Sequence, residues 1–170
     1  METAIKSARR WAYRVKKIKP NTAEIIVAAG NFHGRTTTII SFSDEGNAKD
    51  DFGPLTPGFI TVKYGCADSI ENAINENTAA VLIEPIQGEA GIIVPPENYL
   101  PKVREICTKH NVLMILDEIQ SGLGRTGKFY ILTADTKLDL HLDLVEKVMM
   151  KKNQTSRYEF RIHWNFQCHD

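Results

Sequence analysis

Three short apolar runs set the limits on what this chain can fold into: "EIIVAAG" (24–30), "AAVLIEP" (79–85) and "VLMILDE" (112–118). Each is apolar without a break at every second position, so neither face of such a strand is built to meet water. A fourth run, "FITVKY" (59–64), is rich in β-branched and aromatic residues. Helical patterns lie between and before the runs. Residues 3–17 place Ile5, Ala8, Trp11, Ala12 and Val15 on one stripe with Lys and Arg opposite, and Pro20 stands beyond the end. "ADSIENAINE" (67–76) reads as a helix with Ser69 or Asp68 as its cap, and "ENYLPKVREICTKH" (97–110) as another. Strands apolar on both faces that alternate with helices predict an α/β fold, a mostly parallel sheet flanked by helices. A length of 170 residues fits one domain with a core.

Composition removes several classes of function. Charge is balanced, 21 basic against 21 acidic residues, which gives no grounds for a nucleic-acid or polyanion partner. No apolar run approaches a membrane span, and "ETAIKSARRW" after Met1 has no apolar signal core, so a soluble cytosolic chain is expected. Cys66, Cys107 and Cys168 are odd in number and widely spaced, which predicts thiols in a reducing compartment and not a disulfide frame or a zinc site. The five histidines form no metal-spaced pair, and no metal is expected. All eleven glycines and all seven prolines lie at or before Gly127, so the composition changes near residue 130. "LDLHLDL" (138–144) alternates like a strand. The last forty residues read either as a terminal helix and strand or as foreign sequence joined to a well-formed domain.

The segment 112–129, "VLMILDEIQSGLGRTGKF", fits seven of the eight positions of the G-x-x-x-x-G-K-[ST] phosphate loop. Such a loop sits between a strand and a helix, so that backbone N–H groups cradle phosphate, and a Ser or Thr after its Lys holds magnesium. Here Phe129 follows Lys128, and the strand that carries acids precedes the glycines instead of following them. Nucleotide binding is the weaker of the two readings of this segment.

The stronger reading starts from Asp117. In an open parallel sheet, ligands sit beyond the carboxyl ends of the strands. Four polar features fall there: "GNFHGRT", "EPIQGEAG", "DEIQ" and "GLGRTG". Taken alone, an Asp at the end of a buried strand reads as a helix cap or an ion pair with Arg. With three other loops aimed at the same edge, a buried carboxylate suits the protonated nitrogen of a pyridoxal ring, where it keeps the ring an electron sink. Phe32 and His33, on a neighbouring loop, are aromatic groups suited to stacking on that ring, although Phe32 alone reads equally well as core.

Together "ETAIKSARRWAY", "AEIIVAAGNFHGRT", "FGPLTPGF" and "AAVLIEPIQGEAGIIVPPENYLPKVREICTKHNVLMILDEIQSGLGRTGK" resemble the class III, pyridoxal-phosphate-dependent aminotransferases, most closely the ornithine–oxo-acid branch. The resemblance runs from Met1 to about Phe129 and implies part of the large domain of a fold-type I pyridoxal-phosphate transferase over 1–130, with 131–170 a divergent tail. It implies that Asp117 pairs with the pyridine nitrogen and Gln120 approaches the phenolic oxygen of the ring. Phe32 and His33 are implied to lie at the stacking loop and Arg35 to face the substrate carboxylate. Glu84 and Glu89 are implied to line the substrate pocket, Glu89 helping to choose the amine. The substrates implied are an amino acid, ornithine by descent, and a 2-oxo acid. A homodimer is implied, in the cytoplasm of a bacterium or the mitochondrial matrix of a eukaryote.

The chain also departs from the family pattern. The family's phosphate-holding glycine loop lies just before "ETA", where this sequence has Met1. The lysine that bonds the cofactor lies in a Gly-Lys-Ala-type stretch after the ring-binding Asp. Lys147 stands 30 residues past Asp117 but lacks the preceding Gly, and an exposed helix lysine is the simpler reading of it. The expectation is therefore an aminotransferase by descent whose 170-residue chain is inactive as it stands. The alternatives are a non-catalytic truncated paralogue that binds a full-length aminotransferase subunit, and the nucleotide-binding protein weighed above.

Overall fold

The computed structural model describes residues 1–127 and, by their backbone, residues 140–142. Five strands form one sheet: β1 (Glu24–Ala28), β2 (Phe59–Val62), β3 (Thr78–Ile83), β4 (Leu113–Asp117) and β5 (Leu140–Leu142). Their order is β2-β1-β3-β4-β5, and every neighbouring pair is parallel. The fold is thus the expected α/β arrangement. β5 falls within the alternating "LDLHLDL" segment, pairing Ile115 with Leu140 and Asp117 with Leu142. Lys128, Lys147, Cys168 and the rest of the tail lie outside the described residues. Among those described, no helix is long and apolar enough to cross a membrane.

The unbroken apolar runs have the physical cause anticipated for them, because both faces of the sheet are covered. Ile25, Val27, Ala80, Leu82, Leu113 and Ile115 point to one side, where Ala4, Ile5, Ala8, Trp11 and Ala12 pack on them. Ile26, Ala28, Val81, Ile83, Met114 and Leu116 point to the other, against Ile70, Val103 and Cys107. All six residues of β3 are buried. Each fully buried Ile, Leu or Val contributes about 1.5–3 kcal/mol relative to exposure, so this double-sided core dominates the stability.

The first helix departs from the predicted single helix over 3–17. α1 (Glu2–Trp11) runs directly into a π-helical turn, Ala12–Lys16, which ends at Lys17 with φ 66°. The wider π turn rotates the residues at its end relative to their places on an α-helix. Val15, predicted on the apolar stripe, is 58% exposed as a result. Lys16 occupies the inward position in its place. Its Nζ donates to Thr78 O at 2.8 Å and to His110 O at 3.4 Å, tying the start of β3 to the segment that leads into β4. Burial lowers the pKa of this ammonium.

Between β1 and β2 the chain forms two short elements the periodicity did not reveal, α2 (Thr37–Ile40) and a 3₁₀ turn (Gly46–Ala48). α3 (Ala67–Ala73) follows β2, and α4 (Tyr99–Lys109) precedes β4. The cap predicted at Ser69 or Asp68 is not formed. The N-cap position of α3 is Cys66 with no side-chain cap bond, and Ser69 Oγ turns back toward the Cys66 and Lys63 carbonyls, at 2.7 and 3.2 Å, instead of capping the first turn. Neither Cys66 nor Cys107 is in a disulfide.

The connections place the site. Ile39 and Phe42, on the β1-to-β2 connection, pack in the core on the α1 side, whereas α3 and α4 pack on the opposite side. Chain leaving β1 therefore turns to one face and chain leaving its neighbour β3 turns to the other. That reversal falls between the carboxyl ends of β1 and β3, the position where open α/β sheets bind ligands.

Candidate active site at the carboxyl edge of the sheet

Asp117 is the last residue of β4 and continues the alternation of Leu113 and Ile115 just where the strand ends. Its carboxylate is 5% exposed and fixed at both oxygens. Oδ1 accepts the Ile119 amide at 3.1 Å, and Oδ2 lies 2.8 Å from His33 Nδ1. A carboxylate can only accept, so the bond requires the proton on Nδ1. The His33 side chain is fully buried, tilted against Phe42 at 6.1 Å between ring centroids, and its Nε2 has no hydrogen-bond partner among the described residues. His33 thus faces inward to Asp117, not outward beside Phe32.

Phe32 is held from the β3 side. Its amide donates to Glu84 Oε2 at 3.1 Å, while Gln87 Nε2 donates to Ala29 O at 2.8 Å. Asp44 accepts the Gly30 amide and Asn31 Nδ2 donates to Ala28 O, so the start of the β1–α2 loop is bonded at nearly every step. Glu84, expected to line a substrate pocket, is 6% exposed and supports this loop. Burial raises its pKa, the Phe32 amide and His33 oppose the shift, and the Asp117 charge adds to it. Gln87, which the sequence reading did not single out, is 1% exposed. Lying between Ile86 and Gly88 it breaks no periodicity, so nothing local marked it.

The remaining candidates are exposed. The Arg35 guanidinium sits 5.9 Å from the centre of the Phe32 ring, a cation–π distance. Gln120 Nε2 donates to Glu89 Oε1 at 3.0 Å, joining the loops after β4 and β3. A hollow of about 310 Å³ is lined by Phe32, His33, Gly34 and Arg35 together with Ile39 and Phe52. A larger one, about 540 Å³, lies around Arg9 and Tyr13 at the amino edge, away from these loops. In the glycine loop the Gly122 and Gly127 amides donate to the Glu118 and Gly124 carbonyls, so both donors are spent within the loop. Among the described residues no cluster of His, Cys, Asp and Glu is disposed to hold a metal.

The sequence pattern of the family "Aminotransferase class-III" matches residues 1–150 of this chain. The chain belongs to that family. This class-III aminotransferase chain is 59% identical over 130 residues to the ornithine aminotransferase of Oceanobacillus iheyensis, a match that covers 76% of this chain and 33% of the relative. Among solved structures it is similar to the ornithine aminotransferase of Toxoplasma gondii ME49, with a TM-score of 0.77 and 44% identity over 82% of this chain and 34% of that one. It also resembles the acetylornithine aminotransferase of Elizabethkingia anophelis, with a TM-score of 0.65 and 49% identity over 82% and 34% of the two chains. The chain spans about a third of the length of the relatives it matches. The sheet of this class-III chain is therefore the family's parallel, helix-flanked sheet.

Proposed function

We propose that this chain carries the pyridine-side half of a pyridoxal-phosphate site serving transfer of the δ-amino group of ornithine to a 2-oxo acid. The observation that carries the reading is the Asp117 carboxylate, buried at a strand end and fixed by His33 and the Ile119 amide. A carboxylate immobilised in this way, beside an aromatic side chain on the next loop but one, fits a cationic heteroaromatic ring. When bound, pyridoxal phosphate supplies an electron sink for the bond being broken at the amino carbon.

The residues of the chain then divide the work. Asp117 holds a proton on the ring nitrogen, and His33 fixes the direction of that carboxylate. Phe32 covers one face of the ring and excludes water from it. Arg35 takes the substrate carboxylate, Glu89 admits the distal amine, and Gln120 serves the phenolic oxygen. Glu84 acts by fixing the Phe32 backbone. The names of the ornithine aminotransferases it resembles favour ornithine, and acetylornithine is the competitor to test against. The stretch around Lys147 lacks the Gly-Lys-Ala pattern, so the reading assigns ring recognition to the 170-residue chain and turnover to a chain that carries that lysine.

Titration of the chain with pyridoxal 5'-phosphate, followed by ring absorbance and by the circular dichroism a chiral site induces, tests this. Binding that Asp117→Ala abolishes supports the reading. Absence of binding, or binding indifferent to Asp117, overturns it. Turnover of ornithine with 2-oxoglutarate by the chain alone would overturn the assignment of turnover elsewhere.

A further inference from the structure

We infer that Gln87 is a positioning residue that sets the cofactor-covering loop and the amine-admitting loop at a fixed spacing, by bonding one through its side chain and closing the other through its backbone. The inference rests on the site reading above and extends it to a residue with no role in it. The side chain reaches from the segment after β3 to the end of β1, where Nε2 donates to Ala29 O at 2.8 Å, three residues before Phe32. The backbone exchanges two hydrogen bonds with Ile93, Gln87 N–H to Ile93 O at 3.1 Å and Ile93 N–H to Gln87 O at 2.8 Å. That antiparallel bridge closes the segment 88–92, which carries Glu89. The segment is tightly wound, with the Gly91 and Ile92 amides both donating to Gly88 O.

Burial makes this joint stiff. Gln87 is 1% exposed and among the largest fully buried side chains. Its amide also lies against the loop it holds, since a Cβ added at Gly30 would come within 3.4 Å of Gln87 Oε1. A carboxamide in this position costs desolvation unless its donors are used, so its donor selects one height for Ala29. Glu84 makes the second attachment, three residues earlier on the same segment, to the Phe32 amide. Displacing Gln87 therefore tilts the Phe32 loop about the Glu84 bond and loosens Glu89 in the same step. An apolar residue packed there would fill the volume and leave the spacing unset.

The test compares the 170-residue chain with Gln87→Met, which keeps length and volume and loses the donor, and with Gln87→Glu, which places a carboxylate against the Ala29 carbonyl. Amide hydrogen exchange is read at Phe32, Ile93 and the β3 core residues Val81 and Leu82, and pyridoxal 5'-phosphate is titrated by induced circular dichroism. In both variants we expect exchange at Phe32 and Ile93 to rise about tenfold with Val81 and Leu82 unchanged. The cofactor's dichroic band should shrink and its affinity fall by about the same factor. Unchanged exchange at either loop overturns the joint, as does an unchanged dichroic band on a cofactor that binds. A global rise that includes Val81 and Leu82 assigns Gln87 to folding alone and overturns it too. If the unsubstituted chain binds no cofactor, the site reading fails, and the two loop amides still decide whether Gln87 joins them.

Discussion

His33 Nδ1 and Asp117 Oδ2 lie 2.8 Å apart although 84 positions separate them in the sequence. The contact joins the end of β4 to the loop after β1, spanning β3 between them, and it is buried on both sides. Replacing His33 with Phe keeps a ring of similar shape against Phe42 and leaves Oδ2 without its donor. The expected cost is about 1–3 kcal/mol of stability, the penalty for an unsatisfied buried acceptor. Denaturant melts of the two proteins measure it. Equal midpoints and slopes would mean that Asp117 has found another donor.

Glu84 gives a pH dependence whose sign is set by its burial. Its pKa is raised in the folded chain above the ordinary 4.5, first by burial, so the folded state holds the proton more tightly than the unfolded state does. Its contribution to stability is complete below 4.5 and is lost as pH rises through the folded-state pKa. Glu84→Gln keeps an oxygen for the Phe32 amide and removes the charge. We expect the variant to melt above the parent at neutral pH, with the gap closing as pH falls toward 4.5. Thermal melts across that window check it, and a gap that widens on acidification contradicts the assignment.

Lys16 should matter for folding and not for the site. Lys16→Met keeps the aliphatic stem and removes the donors to Thr78 O and His110 O. The loss expected is about 1–2 kcal/mol, with affinity for pyridoxal phosphate unchanged. Paired melts and cofactor titrations separate the two effects.

Gly88 offers a substitution of the opposite kind. A Cβ built there would lie 1.2 Å from Gln120 Oε1, the far end of an exposed side chain that can swing away. Gly88→Ala is therefore expected to cost less than about 0.5 kcal/mol and to break the Gln120–Glu89 bond. Shifted Gln120 side-chain amide resonances at an unchanged melting midpoint would show it. An unshifted Gln120 would show that the backbone had moved instead.

The strands were legible in the sequence because each is buried on both faces, and an unbroken apolar run has little else to become. The loops that carry Phe32, Glu84 and Asp117 were legible as a set because a parallel sheet gathers its carboxyl ends on one edge. What each side chain does there was not. Adjacent Phe32 and His33 look alike as aromatic candidates, and only the fold shows that His33 bonds Asp117 while the Phe32 amide bonds Glu84. Val15 continued a regular stripe, and one π turn exchanged it for Lys16, which no count of helical periods anticipates. Gln87 gave no signal because its role depends on a carbonyl 58 residues away.

The two edges of the sheet also carry different obligations. At the amino edge Lys16 grips Thr78 and His110, and Arg9 grips the Pro57 carbonyl. At the carboxyl edge Asp117, Glu84 and Gln87 all bond the loop that leaves β1. A buried six-residue strand, β3, runs from Thr78 at one edge to Ile83, just before Glu84, at the other. A designer who wants a sturdier chain can work on the amino edge and leave Asp117, Glu84 and Gln87 untouched.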